Sequence, residues 1–405
     1  MVTILRALRH RPFAVLWAGQ TISRTGDYLY QFALAWWVLE TTGSATAMAS
    51  VLIFSFAPMI LFLLVGGAAV DRLPRVPLML ASDGGRLLIG GLVAALAFAG
   101  SLQIWHVYVA SLLFGFVDAF FQPAYMAMVP DLVPAEDLTS ANALTSFGVQ
   151  GGRVLGPAIG AALIGLGGTP LAFALDAGSF GISALCLLPL LGRRQPSAAA
   201  PEAPASIFQD IRQGIGTVVG TPWLWITILV FTLTNVTLAG PFNVALPFLV
   251  NDRFSGNVTY LGWLYAAFPV GYVLGGLWLG RQRTVRQRGW LVYGGIAIAG
   301  LGMASLGLPL PIGALLAAAV FNGAALEISG QIWINLLQER IPGHLLGRVS
   351  SIDMMGSYVL LPLGYALAGW TTNAWGAATV CLVGGGLTMA VAAVALGHPA
   401  VRALS

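Results

Sequence analysis

The stretch RPFAVLWAGQTISRTGDYLYQFALAWWVLETTGSATAMASVLIFSFAPMILFLLVGGAAVDRLPR (11–75) decides the fold. It contains two apolar runs, 13–40 and 45–70, closed by a short charged loop. Each run is at least as long as the roughly 20 residues that cross a bilayer as a helix. Lipid cannot satisfy exposed backbone N–H and C=O groups, so helix is the state such runs adopt. The pattern then repeats along the chain, with further runs at 76–100, 104–128, 142–166, 169–191, 222–250, 258–280, 289–308, 312–338, 352–372 and 375–397. Several connections are tight, as at Gly165–Thr169, Pro309–Pro311 and Thr372–Trp375. The expected fold is an all-α membrane protein of twelve transmembrane helices in two pseudo-symmetric six-helix bundles.

Composition agrees. Of 405 residues, 58% are hydrophobic and only 8% charged, where a soluble protein keeps about 25% charged residues. Most of the surface must therefore face lipid, and no stretch is polar and long enough for a separate soluble domain. All nineteen basic residues are Arg, which reads as coding bias rather than function. Cys186 and Cys381 both fall inside spans and are expected to be packed thiols. The basic start, with Arg6, Arg9 and Arg11, has the look of a signal peptide. The segment behind it, however, runs from Phe13 to Glu40, carries Arg24 and Asp27 and has no convincing cleavage site. It reads as the first span. With the N-terminus inside, fifteen of the nineteen arginines fall in cytoplasmic segments and Arg253 alone falls outside. That asymmetry puts both termini in the cytoplasm of a bacterial inner-membrane protein.

Two halves are expected. Gly192–Pro204 is rich in Pro and Ala and reads as a linker. It serves either as a tether between moving halves or as a plain spacer. Behind it, Ile207, Phe208, Ile211, Ile215 and Val218 share one face of a short amphipathic helix, expected to lie flat on the inner membrane surface. Arg11-Pro12-Phe13 at the start of span 1 matches Thr221-Pro222-Trp223 at the start of span 7, an offset of 210. Pro134 after span 4 and Pro342 after span 10 are 208 apart. Two landmarks at nearly one offset argue for a duplicated six-helix unit. The expected division is an N-terminal bundle over 1–191, a cytoplasmic linker with its amphipathic helix over 192–220, and a C-terminal bundle over 221–405.

Charges inside a bilayer cost roughly 2.5–3.5 kcal/mol each on insertion scales, so each requires a reason. Gln20, Arg24, Asp27 and Gln31 recur on one face of span 1. Ser111, Gly115, Asp118, Gln122 and Tyr125 do so on span 4, and Glu327, Gln331, Asn335 and Gln338 on span 10. Span 7 has a weaker stripe in Thr232, Asn235 and Asn243. These are the first helices of successive triplets, the pattern that a central aqueous cavity would produce. Asp27, Asp118 and Glu327 are the candidates for proton coupling or substrate binding, with Arg24 and Arg153 beside them. Arg24 and Asp27, three apart, read alternatively as a neutralised structural pair, and Asp118 and Glu327 as inter-helix hydrogen-bonding groups. Gln20, Gln31, Gln122, Tyr125, Asn235, Asn243, Gln331 and Asn335 are expected to line the cavity. Asp83 with Arg86, and Asp176, are assigned structural roles. Tyr28, Trp36, Phe121, Tyr125 and Trp333 are available to stack on a cationic or amphiphilic substrate, though each taken singly reads better as packing.

The loop Gly67-Ala-Ala-Val-Asp71-Arg72-Leu-Pro-Arg75 resembles the Gly-x-x-x-Asp-Arg-x-Gly-Arg motif of the major facilitator superfamily, with Pro74 in place of the second glycine. That resemblance implies a cytoplasmic latch made by Gly67, Asp71, Arg72 and Arg75. The loop after span 8, ending Gly280-Arg281, lacks the acid, so the latch is expected in one half only. Span 5 carries Gly152-x-x-x-Gly156-Pro157-x-x-Gly160, similar to the family's antiporter motif, which is found mainly in exporters. Small residues four apart also serve ordinary close packing. Arg153, the Pro130–Pro134 segment, Ala141-Asn-Ala and Gly347-Arg348-Val349 resemble the efflux branch that includes macrolide exporters and the enterobactin exporter. Ser111 stands where that family carries an arginine in span 4.

The resemblance implies a proton-driven exporter of small amphiphilic molecules or drugs, working by alternating access. A dedicated exporter of a siderophore or other metabolite, and a lysophospholipid flippase, are the alternatives. An enzyme is not expected, because no His/Glu cluster, phosphate loop or activated Ser or Cys stands out. The expected partners are a small-molecule substrate, protons and the lipid bilayer, with no nucleic acid, metal or cofactor. A monomer is expected.

Overall fold

A computed structural model of the chain describes residues 5–70, 73–191, 207–282 and 285–404, and the side chains of these except at 63–70, 207–211 and 343–344. Among the described residues the regular structure is helical throughout. Ten stretches are long and apolar enough to cross a membrane. Two further crossings complete the expected twelve. Span 1 (Arg11–Thr42) is a helix of 32 residues whose polar stripe lowers its hydropathy. The stretch Ala135–Leu190 is 56 residues long. Its helix, Leu138–Leu187, breaks at Gly168 (φ 75°, ψ 179°), a left-handed conformation that suits glycine. The residues either side of that break form spans 5 and 6.

The remaining spans are Ala45–Val70 (2), Arg75–Phe98 (3), Ile104–Leu132 (4), Pro222–Arg253 (7), Val258–Gly280 (8), Arg288–Gly307 (9), Ile312–Arg340 (10), Leu345–Trp375 (11) and Ala377–Gly397 (12). Large apolar side chains such as Leu88, Met126, Leu166 and Val394 point outward and are mostly exposed. On a soluble protein that would be a liability; on a membrane protein it is the lipid-facing surface.

The chain divides into two compact units, 1–43 with 50–200 and 44–49 with 201–405. Within the first, span 1 lies between spans 5 and 6. A β-carbon placed on Gly156 would sit 2.6 Å from Tyr28 Cβ and 2.9 Å from the Leu29 nitrogen. On the other side of span 1, one placed on Gly26 would meet Asp176 Oδ1 at 2.8 Å. In the second unit, span 11 packs on span 7 in the same way, Gly364 on Val236 and Gly356 on Ile228. Residues 156 and 28, and 364 and 236, are both 128 apart, so the two bundles share one internal arrangement. Spans 3 and 6 run antiparallel through Gly90 on Ala177 and Asp83 on Ser183, as spans 9 and 12 do through Gly300 on Gly385 and Gly307 on Ala378.

The second unit contains two irregularities that the sequence does not announce. Span 7 widens into π turns at Asn235–Ala239 and Pro241–Ala245. Span 11 is broken into Gly343–Tyr358 and Leu361–Trp375, with Pro362 in the first turn of the second piece. The two defects support each other. Thr232 Oγ1 donates to the Gly356 carbonyl (2.8 Å) and Asn235 Nδ2 to that of Ser357 (2.9 Å).

The amphipathic helix Ile207–Gly220 packs part of its apolar face on the rest of the second unit. Val218 is buried in a cluster with Leu224, Ile228, Trp333, Leu337, Ile341 and Val349. Arg348 Nη1 donates to Gln213 Oε1 (2.6 Å), and Gly214 lies against Ile352. Part of the apolar face thus covers spans 10 and 11, and Ile215 remains outward. Ile207, Phe208 and Ile211 belong to the same face, but their side chains lie outside those described.

Candidate functional site

The first unit gathers its charges in its interior. Arg24 and Asp27 on span 1 are 3.6 Å apart, both about one-fifth exposed. On span 3, Asp83 and Arg86 are fully buried and 3.4 Å apart. Arg86 also reaches Asp118 on span 4 at 3.3 Å; that carboxyl is 33% exposed. The guanidinium is seated over the Phe121 ring (4.0 Å) and near that of Phe180 (5.0 Å), as suits a flat, weakly hydrated cation. Ser183 Oγ of span 6 donates to Asp83 Oδ2 (2.6 Å), and Gln20 Nε2 of span 1 donates to Ser183 Oγ (2.8 Å). A single polar chain therefore links four spans: Gln20, Ser183, Asp83, Arg86, Asp118.

Asp176 lies one turn from Ser179 on span 6 and is 1% exposed. Its nearest charged neighbours are Asp27, Arg86 and Asp118; those of Asp27 are Arg24, Arg86, Asp118 and Asp83. Four carboxyls thus share one interior with two guanidinium groups. With every group ionised, the cluster would carry two net negative charges in a low-dielectric medium, where unpaired charge is expensive. The cluster is suited to taking up positive charge.

Several sequence candidates occupy other places. Asp118 has its partner on span 3, not on its own span. Arg153 Nε donates to Tyr28 Oη (3.0 Å), and its guanidinium lies 5.7 Å from that ring. Gln20 is buried within the bundle, and Gln31 is exposed. Gln122 is half-buried, while Tyr125 is buried with its hydroxyl 3.4 Å from Thr145 Oγ1. Trp36 and Phe121 are packed inside. Gly152, Gly156 and Gly160 all face span 1, and Pro157 is buried beside them.

In the second unit Glu327 is half-buried on span 10, beside Gly276 of span 8. Gln331 is half-buried and Asn335 exposed. Asn243 bonds within its own helix, to the Ala239 carbonyl (2.8 Å). Trp333 packs edge-on against Trp223 and donates to Asp353 Oδ2 (3.2 Å). Asp353 on span 11 was not picked out from the sequence. Its signal was an acid one residue inside an apolar run.

Of the loop motif, Asp71 and Arg72 lie outside the described residues and Gly67 lies in span 2. Arg75 donates to the Ala127 carbonyl (2.9 Å) and pairs with Asp131 at the end of span 4. The second unit has a counterpart, since Arg288, the first residue of span 9, pairs with Glu339, next to last in span 10. This ion pair between the third and fourth helices of a unit is present in both halves and is distinct from the expected latch, whose Asp71 and Arg72 lie outside the described residues.

Twelve spans in two like-built bundles define a polytopic membrane protein, and its family and relatives make it a transporter rather than an enzyme. The chain belongs to the Major Facilitator Superfamily, whose model matches residues 16–359. It is 25% identical over 388 residues to macrolide efflux protein A of Streptococcus pyogenes, covering 94% of each chain. It is 29% identical over 378 residues to the multidrug efflux pump Tap of Mycolicibacterium fortuitum (90% and 88% covered). It is 30% identical over 312 residues to the enterobactin exporter EntS of Escherichia coli O1:K1 / APEC (76% and 72%). The fold matches the nucleoside transporter NupG with a TM-score of 0.75 at 12% identity, covering 95% of this chain and 98% of that one. It also matches a bacterial homologue of the iron transporter ferroportin in its inward-facing state, with a TM-score of 0.71 at 16% identity (96% and 99%).

Proposed function

We propose that this protein exports small amphiphilic molecules or drugs across a bacterial inner membrane by alternating access, and that inward flow of protons drives it. The observation that carries the reading is the excess of carboxyls over guanidinium groups in the first bundle. A group of acids that must be neutralised in a water-poor interior can exchange a proton for a cationic substrate. One proton moving through 100 mV supplies about 2.3 kcal/mol, enough for modest uphill transport per cycle. Asp27, Asp118 and Glu327 are the coupling or substrate sites in this reading, with Arg24 and Arg153 setting the local charge. The relatives named as efflux proteins support the export direction. Arginine placement supports cytoplasmic termini. The bundles span 1–191 and 221–405 with the 192–220 linker between them, and the monomer is the working unit.

The relative named as an enterobactin exporter favours a second reading, a dedicated exporter of a siderophore-like metabolite. One experiment addresses both. Purified protein in proteoliposomes is given an imposed pH gradient with a macrolide, a fluorescent cationic dye or a catecholate siderophore as probe. Gradient-driven movement of the macrolide or dye, abolished in Asp27→Asn, Asp118→Asn or Glu327→Gln, is the expected result. Full activity in all three variants would refute the coupling assignment, and movement of the siderophore alone would favour the second reading.

A further inference from the structure

Asp176 has no role in the reading above, and its surroundings are unusual. It is 1% exposed, and neither carboxyl oxygen has a hydrogen-bond partner. Ser179, one turn on, turns its hydroxyl to the Asp176 backbone carbonyl instead (2.7 Å). Among the described residues, the ion pairs of Arg86 go to Asp83 and Asp118, and that of Arg24 to Asp27. Asp176 lies directly against the span 1 backbone, where Gly26 leaves room for its carboxyl. The groups that face it are Asp27 and Tyr30 from span 1, Arg86 from span 3 and Asp118 from span 4. The Tyr30 hydroxyl is itself buried without a partner, its ring fixed between Phe114 and Phe173 at 5.4 and 5.3 Å.

An ionised carboxylate with no donor, whose one nearby cation is already paired with two other carboxylates, is costly in such a medium, and Asp27 and Asp118 add repulsion. A protonated carboxyl avoids that cost. Among the described residues, no three His, Cys, Asp or Glu side chains gather as metal ligands.

We propose that Asp176 is a proton-binding site of the first bundle, loaded in this conformation, and that Arg86 becomes its counter-ion when the proton leaves. This deepens, and rests on, the proton-driven reading above. The O–H bond at Asp176 breaks, the proton passes to a carboxylate oxygen of Asp27, which has solvent access, and then to water. The new carboxylate draws Arg86 away from Asp83 or Asp118, so release of the proton re-pairs spans 3, 4 and 6.

The test is infrared difference spectroscopy of the full-length protein in lipid nanodiscs, comparing neutral with alkaline buffer, with and without ¹³C-labelled aspartate. Wild type should show the carbonyl stretch of a protonated aspartic acid, shifted by the label and lost at alkaline pH. Asp176→Asn should lose that band while keeping wild-type thermal stability, because an amide replaces an already neutral group. Asp27→Asn and Asp118→Asn should retain it. A band that survives in Asp176→Asn, no aspartic band in wild type, or marked destabilisation by Asp176→Asn would overturn the proposal. The two readings fail separately. If the band belongs to Asp176 but a pH gradient drives no transport, proton-driven export falls and the proton site stands. If transport is gradient-driven but the band lies elsewhere, the reverse holds.

Discussion

Replacing Arg86 with Met tests whether the buried polar chain is held by charge. The substitution keeps the aliphatic volume between Phe121 and Phe180 but removes the cation shared by Asp83 and Asp118. Asp83, wholly buried, would keep only the Ser183 hydroxyl at 2.6 Å. Removing one partner of a buried ion pair costs about 3–5 kcal/mol. The Asp118 arm adds little, since that carboxyl is one-third exposed and water can take over part of the guanidinium's role. The lost contact with Phe121 adds about 1 kcal/mol. Taking the low end of the range for the pair, the expected loss is about 4 kcal/mol, or roughly a thousandfold in the folding equilibrium. Reversible unfolding in mixed micelles measures it. Asp83→Asn in the Arg86→Met background removes the stranded charge and should restore about 1–3 kcal/mol as a coupling energy. A loss under about 0.5 kcal/mol, or no rescue by Asp83→Asn, would mean that packing alone holds spans 3, 4 and 6.

Other substitutions separate close packing from polar support. Gly156→Leu drives a side chain into the Tyr28–Leu29 backbone and should cost about 1–3 kcal/mol or abolish folded protein; Gly151→Ala, with open space around it, should be neutral, as read by yield and melting temperature. Asn235→Leu strands the Ser357 carbonyl and should cost about 1–3 kcal/mol in the same unfolding assay. Asn373→Ala removes the acceptor of the Ala45 N–H (3.0 Å) and the donor to Thr46 Oγ1 (2.8 Å) and should cost about 1 kcal/mol as a lost helix cap. Asp131→Asn breaks the Arg75 pair, which is partly exposed. It should cost only about 0.2–1 kcal/mol, a difference that shrinks in high salt.

What the sequence revealed depended on the distance over which each signal acts. The spans were legible because apolar length is local. The duplication was legible because Pro12 and Pro222, and Pro134 and Pro342, punctuate equivalent helix ends. Arg24 and Asp27 were legible as a pair because three residues on a helix fix their proximity, and they stand 3.6 Å apart. Asp118 was visible as an intramembrane acid, but its partner was not. Arg86 comes from span 3, and only helix packing brings the two together. Arg153 illustrates the same limit, since its bond to Tyr28 joins spans 5 and 1, a contact that spacing along one helix does not give. Trp36, Phe121 and Trp333 are packed in the interior, which depends on neighbouring helices and not on the residues beside them in sequence. The π turns of span 7 had no local signature beyond Gly240-Pro241, because a widened helix is stabilised by what lies beside it.

That widened segment and the broken span 11 have a mechanical consequence. Where a helix is fastened sideways by Thr232 and Asn235 rather than along its own axis, the chain can flex there while the Gly356 and Ser357 carbonyls keep their partners. Bending in the second unit should then concentrate around residues 356–362, a built-in joint.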